Sequence, residues 1–316
     1  MKAKNKILTL LILSSASAAT IAAINKFLKI TATSKNLLAN ENSLCYKWRL
    51  GNIHYTKTGS GRPLLLIHDL TAASSGYEWS YVISGLQEEY TVYTIDLLGC
   101  GRSEKINLTY TNYLYVQLVT DFIKNIIKSK TDIIANGHSS AFTIMSCTNN
   151  SSLIGKVIIL NPEGIISNRK VPQKYTKLIK YIFAAPVIGR FIYNIHTNKE
   201  TIKKKFYQKY YYDLEKISTN TIMAYYESSQ KHNTKGKYLY QSLLCGFMNY
   251  NISSNLQKIE NKISIIIGNS DSNNLANAMQ YQNFLPDIEI RKIEHTKYLP
   301  HMESPEEFIT VVKDLL

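Results

Sequence analysis

The residues around Ser139 have the spacing that is typical of a nucleophile at a sharp turn between a strand and a helix. Ser139 stands in Gly137-His138-Ser139-Ser140-Ala141, where small residues two before and two after the serine permit such a turn. The turn would lift the hydroxyl above the sheet, and the Ser140 N–H, at the start of a helix, would stabilise an oxyanion. We predict that Ser139 is a nucleophile. A serine that only caps the helix is the alternative interpretation.

The elements that must position Ser139 follow from alternating strand and helix patterns, which begin at residue 44. Two short strands meet at Gly51-Asn52, a pair that is typical of a hairpin turn. Apolar runs predict further strands, and helical patterns separate them; these strands are expected at 63–67, 91–95, 132–135, 156–160, 263–267 and 288–293. This order predicts an α/β fold with a doubly wound, mainly parallel sheet.

Residues 164–258 interrupt the alternation. They contain helical patterns and no strong strand signal, so we predict a helical insertion after the sixth strand. The core of the fold is then expected in two pieces, residues 44–163 and 259–316. An N-terminal segment of residues 1–43 precedes it.

The positive charge of the chain is concentrated in the predicted insertion. The 316 residues include 37 Lys and Arg and 23 Asp and Glu, which gives a formal net charge of +14. Residues 165–250 hold 15 of the basic residues, four of the acidic residues and 12 of the 23 tyrosines. Basic residues interleaved with aromatic ones suit either a polynucleotide or an anionic bilayer. Because no nucleic-acid-binding motif accompanies them, we predict an anionic membrane surface, and no nucleic acid, as a partner.

The N-terminus predicts attachment to a membrane. Residues 7–24 form an uncharged run of 18 residues that follows three lysines, and this length is near the lower limit for a membrane span. The Ala16-Ser17-Ala18 triplet also fits the cleavage site of a secretory signal peptide. Because the uncharged run continues past the triplet, we predict a single N-terminal membrane anchor. Secretion after cleavage is the first alternative, and a helix packed on the domain is the second.

Neither a metal nor a cofactor is predicted. The four cysteines share no C-x-x-C spacing, and the histidines show no ligand spacing with acids on a common face. Gly99-x-Gly101 lacks the third glycine of a dinucleotide-binding fingerprint and follows the wrong strand.

Five sequence blocks resemble those of the α/β-hydrolase fold superfamily, in the same order, over roughly residues 50–316. The first block is the Ser139 turn. Residues 67–70 resemble the family's His-Gly loop after the third strand, and residues 96–103 resemble its D-x-x-G-x-G-x-S loop. Residues 268–271 resemble its G-x-x-D turn, and residues 299–308 resemble the block after its histidine. The resemblance implies that residues 164–258 form a cap over the pocket. It also implies that Asp271 is the catalytic acid and that the Leu70 N–H is an oxyanion donor beside that of Ser140.

Two residues depart from the family pattern. Tyr298 stands five residues before Glu303, where the resemblance places the catalytic histidine. With an ordinary pKa of about 10, tyrosine cannot act as a base at neutral pH. His295 and His301 lie three residues to either side of Tyr298, and we predict that His301 is the base. Asp69 replaces the glycine of the His-Gly loop, and its carboxylate would oppose an oxyanion unless it points away.

Four further residues near these blocks are predicted to be structural, and a fifth to be solvated. His68 and His138 are expected to be structural histidines, and Asp96 and Arg102 to fix their loop as partners. Glu163, just after the sixth strand, is expected to be a solvated carboxylate, with a role as the catalytic acid as its alternative.

Two functional hypotheses follow. The first is a membrane-anchored serine hydrolase that cleaves an ester-type bond of a small or lipid-like substrate, with Ser139, Asp271 and His301 as its triad. The second is a catalytically impaired α/β-hydrolase fold that binds or scaffolds at the membrane. The residues at positions 298 and 69 motivate this second hypothesis.

Overall fold

The protein is built around a central sheet of eight strands. A computed structural model describes residues 19–39, 42–166, 172 and 174–316. The strands run in the order β1-β2-β4-β3-β5-β6-β7-β8 across the sheet; they are β1 (Ser43–Trp48), β2 (Gly51–Thr58), β3 (Arg62–Ile67), β4 (Tyr90–Ile95), β5 (Thr131–Asn136), β6 (Ile154–Leu160), β7 (Ile263–Gly268) and β8 (Glu289–Ile293). The β1–β2 and β2–β4 pairs are antiparallel, and the other five pairs are parallel. The prediction of an α/β fold with a mainly parallel sheet is therefore confirmed.

Helices cover both faces of this sheet. The described helices are α1 (residues 19–33), α2 (Ile83–Leu86), α3 (Asn112–Phe122), α4 (Ser139–Asn149), α5 (Thr176–Ala184), α6 (Ile188–Thr197), α7 (Lys199–Lys205), α8 (Thr219–Gln230), α9 (Lys237–Leu244), α10 (Ser253–Leu256), α11 (Ser272–Gln282), α12 (Pro300–Glu303) and α13 (Pro305–Leu315). Because successive strand side chains point to opposite faces, β3 packs Leu65 with α3 and α4 on one side. It packs Leu66 with α2 and α13 on the other. This arrangement is the expected doubly wound one.

Helices α5 to α10 all lie between β6 and β7, and the described residues of 164–258 contain no strand. The segment packs against the core through aromatic side chains, for example through the stacked rings of Tyr210 and Tyr298, whose centroids are 5.5 Å apart. Helix α1 lies against the same segment. The Asn194 side chain donates a hydrogen bond of 2.6 Å to the Asn25 side chain, and the Tyr226 hydroxyl donates one of 3.3 Å to the Leu28 carbonyl.

The predicted anchor falls only partly on the described residues. Residues 7–18 lie outside them, and residues 19–24 begin helix α1. Among the described helices, no single one has both the length and the apolar composition to cross a membrane. One sharply bent pair, α5 followed by the helical stretch 188–210, meets those criteria jointly, with a bend of 101° between its arms.

Candidate active site

The left-handed position of the strand-to-helix turn is Gly137. Strand β5 ends at Asn136 and helix α4 begins at Ser139, and Gly137 between them has a φ of +54°. Ser139 is not among the residues with positive φ. A Cβ atom on Gly137 would collide with the Tyr298 hydroxyl oxygen and lie 2.5 Å from the Asp69 Oδ1. The strained position that a nucleophile needs is thus held by a residue without a side chain, and two other side chains fill the space above it.

Ser139 directs its hydroxyl into the core of the protein. Its Oγ donates a hydrogen bond of 2.6 Å to the His68 carbonyl, and the residue has no exposed surface. The Ser140 N–H, which was predicted to hold an oxyanion, donates to the Gly137 carbonyl at 3.1 Å. Ser139 therefore lies in the predicted turn, but its hydroxyl and the following N–H are both engaged by backbone carbonyls.

The Asp69 carboxylate folds back onto the turn. Its Oδ1 accepts hydrogen bonds from the His138 N–H at 2.9 Å and from the His138 Nδ1 at 3.2 Å. Burial opposes ionisation of this carboxyl, but the His138 contacts and the Lys209 charge outweigh it and hold the pKa of Asp69 at about 2. In this fold the N–H after the turn's strained residue is an oxyanion donor. Because that residue here is Gly137, the corresponding donor is His138, and an anion of the protein already occupies it.

His138 joins this carboxylate to charges outside the turn. Its Nδ1 lies 3.6 Å from the Glu163 Oε1, which in turn lies 3.9 Å from the Lys209 ammonium. Burial would lower the pKa of His138, but the charges of Asp69 and Glu163 raise it above its ordinary value. The side chain keeps 37% of its surface exposed. His138 is therefore a partly exposed member of a cluster with Asp69, Glu163 and Lys209, which differs from the structural role expected for it.

Tyr298, which the family resemblance predicted to stand at the position of the catalytic histidine, covers the turn. Its hydroxyl has no hydrogen-bond partner among the described residues. The Tyr210 ring stacks on the Tyr298 ring, and the Lys209 ammonium lies 4.4 Å from the centre of the Tyr298 ring. Burial, together with the charge of Asp69, raises the pKa of Tyr298 well above its ordinary value. The hydroxyl therefore stays protonated and can donate a proton to a hydrogen bond but cannot act as a base.

The structure does not bring His301 to Ser139. The His301 ring is fully buried, packs against Trp79 and Phe308 at centroid distances of 4.5 and 5.7 Å, and has no hydrogen-bond partner on either nitrogen among the described residues. Burial lowers the pKa of His301 to about 3. A base must lie within hydrogen-bonding reach of the hydroxyl it activates, so this placement contradicts the predicted role of His301. Because of its position on α12, the His301 ring points into the apolar layer on the α13 side of the sheet.

The other predicted partners of Ser139 also make their contacts with other residues. The Asp271 carboxylate caps α11 and accepts hydrogen bonds of 3.0 and 2.9 Å from the backbone and side chain of Asn273. His295 is exposed, with a φ of +54°, and its ring packs on Tyr212. Asp271 therefore has the contacts of a helix cap, and none of its described hydrogen bonds goes to a histidine.

The loops beside the turn are fixed by buried polar contacts. The Asp96 carboxylate binds the Arg102 guanidinium at 2.8 Å, as expected for loop-fixing partners. His68 donates to the Asp69 carbonyl at 2.6 Å and accepts from the Leu97 N–H at 3.0 Å, so both of its nitrogens are used structurally. Glu78 accepts from the Asp69 N–H at 3.0 Å, and burial together with the Asp69 charge raises the pKa of Glu78.

A cavity of about 200 Å³ lies between the core and the helices of 164–258. Residues 70–73, including Leu70, and His138 form its core side, and residues of α6, α7 and α9 form the other, with Lys205 and His196 among the polar members of that wall. The cavity is smaller than the sites that hold drug-sized ligands, so it has room for a short chain or a small ring. The described residues include no group of three or more His, Cys, Asp or Glu side chains placed to hold a metal ion.

Three residues of this site were missed or read differently from the sequence: Gly137, His138 and Glu163. A signal for Gly137 was present, because Ala135 and Ser139 are small residues two before and two after it, the same spacing that surrounds Ser139. Two registers of the turn therefore fit one sequence. The two readings differ in which residue is left-handed.

Comparison with known proteins finds a family match over most of the chain. Residues 64–311 match the model of the alpha/beta hydrolase family. A soluble epoxide hydrolase from Corynebacterium sp. (strain C12) is 29% identical over 133 residues, which are 42% of this chain and 46% of that protein. The match thus spans less than half the length of this relative.

Two solved structures share the fold at low sequence identity. A serine hydrolase involved in carbazole degradation covers 86% of this chain and 97% of its own, with a TM-score of 0.70 and 18% identity. A membrane phospholipase A described as a bacterial virulence factor covers 99% and 97%, with a TM-score of 0.69 and 16% identity. With its matched residues, its eight-stranded sheet and its strand-to-helix turn, this chain belongs to the alpha/beta hydrolase family.

Proposed function

We propose that this family member binds a small or lipid-like molecule in the cavity beside His138 and does not turn it over with the triad of Ser139, Asp271 and His301. The single observation that carries this proposal is the Asp69 carboxylate on the His138 N–H, beside Gly137. A tetrahedral intermediate would need that donor for its own negative charge. The ionised Asp69 would have to leave before an oxyanion could enter.

The groups that would activate a nucleophile are also in other contacts. The Ser139 hydroxyl donates its proton to the His68 carbonyl and not to a base. The residue at the histidine place, Tyr298, keeps its proton. General-base assistance is worth about 10² to 10⁴-fold in rate, and this arrangement offers none to Ser139. Binding without turnover is the function that agrees with the Asp69 and Ser139 hydrogen bonds and with the protonated Tyr298.

The cavity suits a ligand with an apolar body and one polar end. Leu70, Ala72, Ala73 and Ile202 line it with apolar surface, and the His138 ring, whose pKa the Asp69 carboxylate raises, offers a partner to an acidic or carbonyl oxygen. Attachment to a membrane through residues 7–24, with the basic helices of 164–258 as a cap facing anionic lipid, would place this cavity close to lipid-like molecules.

A serine hydrolase acting on ester-type bonds is the second candidate function. Family membership and the relatives named as hydrolases favour it. It requires the turn to rearrange so that Ser139 leaves the His68 carbonyl and Asp69 leaves the His138 N–H.

The two candidates separate in a labelling experiment. A fluorophosphonate probe is applied to the wild type, to Ser139→Ala and to Ser146→Ala, a matched change of another buried serine on α4. We expect no labelling that depends on Ser139. Labelling that is lost in Ser139→Ala and kept in Ser146→Ala would establish the hydrolase instead.

Binding is tested separately by thermal shift with octanoate and phenylacetate. Ala73→Trp, which fills the cavity, should abolish the shift, whereas Ala276→Trp, at an exposed position of α11, should preserve it. Equal shifts in both variants would contradict binding in this cavity.

A further inference from the structure

The exposed apolar side chains of the protein concentrate on two consecutive helices, α5 and α6. Seven large residues on or next to these helices are between 36% and 76% exposed. We call them the hairpin face; they are Tyr175, Leu178, Tyr181, Ile182, Ile188, Phe191 and Ile195. Contiguous exposed apolar surface on a folded protein marks an interaction site.

The hairpin face is the outward side of helices whose inward sides are already packed. Phe183 of α5 and Tyr193 of α6 are buried, with ring centroids 5.8 and 6.0 Å from that of Tyr240. The Tyr193 hydroxyl also donates a hydrogen bond of 2.8 Å to the Ser229 carbonyl. The exposed residues recur every three or four positions, so each helix has a second apolar side. That second side lacks a cover within the described chain.

Basic residues flank the hairpin face without acidic neighbours in sequence. Lys174, Lys177 and Lys180 lie on or beside α5, and Arg190 lies on α6. Residues 164–199 contain no Asp or Glu at all. An apolar surface with an uncompensated basic rim is complementary to the interface of a bilayer that contains anionic lipids.

The hairpin face also lies next to the end of the predicted anchor. Helix α1 is bonded to α6 through Asn25 and Asn194, and its Phe27 and Ile30 are exposed apolar residues. Residues 7–18, which are uncharged, immediately precede this helix in the sequence. An anchor that reached the bilayer there would bring α5 and α6 to its surface.

The shape of the hairpin favours an interfacial position over a spanning one. Helix α5 has nine residues, and the helical stretch Ile188–Tyr210, which begins with α6, is bent from α5 by 101°. A span needs about 20 predominantly apolar residues in one direction. Helix α5 is shorter than this, and the 23 residues of 188–210 include seven charged ones. A helix with one apolar and one packed side instead lies in the plane of the interface, with the apolar side about 5–10 Å deep.

We propose that the hairpin face docks on an anionic lipid bilayer, with its apolar residues in the interfacial layer and its lysines at the headgroups. This inference rests on the proposed membrane association and adds which surface of the protein contacts the bilayer. The lysines at 203–205 of α7, although equally basic, are not part of this surface.

The test uses the full chain reconstituted with vesicles whose lipids carry bromine on the acyl chains, which quenches indole fluorescence on contact. Flotation first reports whether the protein is on the vesicles. Tyr181→Trp places an indole on the hairpin face, and Tyr113→Trp places one at an exposed position of α3 as a matched control. We expect the indole at position 181 to lose most of its emission in brominated vesicles and the indole at position 113 to lose none.

The charge of the lipid is tested with the same reporter. On vesicles with phosphatidylglycerol, Lys174, Lys177 and Lys180 changed together to Gln should reduce the quenching at position 181. The same change at 203–205 should leave it intact, and vesicles of phosphatidylcholine alone should show weaker quenching throughout.

Each outcome decides something different. Flotation without quenching at position 181 would overturn the docking surface while membrane association stands. Absence of flotation would overturn both. The third outcome is an indole at position 181 that is not quenched in a protein that cross-links as a dimer. It would assign the hairpin face to a second copy of the chain and not to lipid.

Discussion

Replacing Asp69 by asparagine should destabilise the protein at neutral pH and remove a pH dependence that the wild type has. Asparagine has nearly the same shape and can still accept the His138 N–H, so the change removes the charge and little else. The Asp69 carboxylate is buried and held by His138, with Lys209 nearby. The variant therefore isolates the electrostatic part of the contact between the Asp69 carboxylate and the His138 N–H.

The magnitude follows from the pKa. Asp69 is held at about 2 against an ordinary value of 3.8, and this difference corresponds to about 2.5 kcal/mol of stability. Because the pKa is lower in the folded than in the unfolded protein, the contribution is fully present above about pH 5. It is lost as the pH falls through 3.8 towards 2, and about 1 kcal/mol of it is gone by pH 3.

The assay is urea denaturation at pH 7, 5 and 3, followed by tryptophan fluorescence. Asp132→Asn is the matched control, because Asp132 is a buried carboxylate at the opposite end of β5 that pairs with Arg62. The stability difference between wild type and Asp69→Asn should shrink from pH 7 to pH 3. A variant as stable as wild type at pH 7, or an equal difference at all three pH values, would refute the reasoning.

Three further predictions concern the residues around the turn. Tyr298→His combined with Lys297→Gly should not create hydrolysis of p-nitrophenyl acetate, because Asp69 still holds the oxyanion donor; turnover in this double variant would show that the donor is free. His301→Phe should stabilise the protein by about 1–3 kcal/mol, since it removes two unsatisfied buried nitrogens. Because burial lowers the pKa of His301 to about 3, the wild type loses stability as the pH falls below about 6.5, and thermal melts at pH 7 and 4.5 should show a smaller loss in the variant. Gly137→Ala should cost about 2–4 kcal/mol through its left-handed φ and its collision with the Tyr298 hydroxyl; Tyr298→Phe should relieve part of this cost, and additive effects in the double variant would contradict the collision.

Local patterns in the sequence determined most of the fold. Apolar runs such as 63–67 and 263–267 can be buried only as central strands of a parallel sheet, so their order along the chain led to the correct architecture. The blocks at 96–103 and 299–308 also lie on the elements expected from the family pattern. The prediction that Tyr298 stands where the family has its histidine also came from the sequence alone, from its distance to Glu303.

Only the tertiary structure decided what the turn can do. The motif fits a left-handed residue at either 137 or 139, and the choice depends on Asp69 and Tyr298, which are remote in sequence and close in space. The direction of a side chain is equally non-local: His301 belongs to a block that resembles the family's, yet α12 turns it towards Trp79. Spacing along a chain determines which residues share an element, whereas the contacts between elements determine which way each residue faces. The Ser139 hydroxyl faces the His68 carbonyl for that reason, and no local pattern could have shown it.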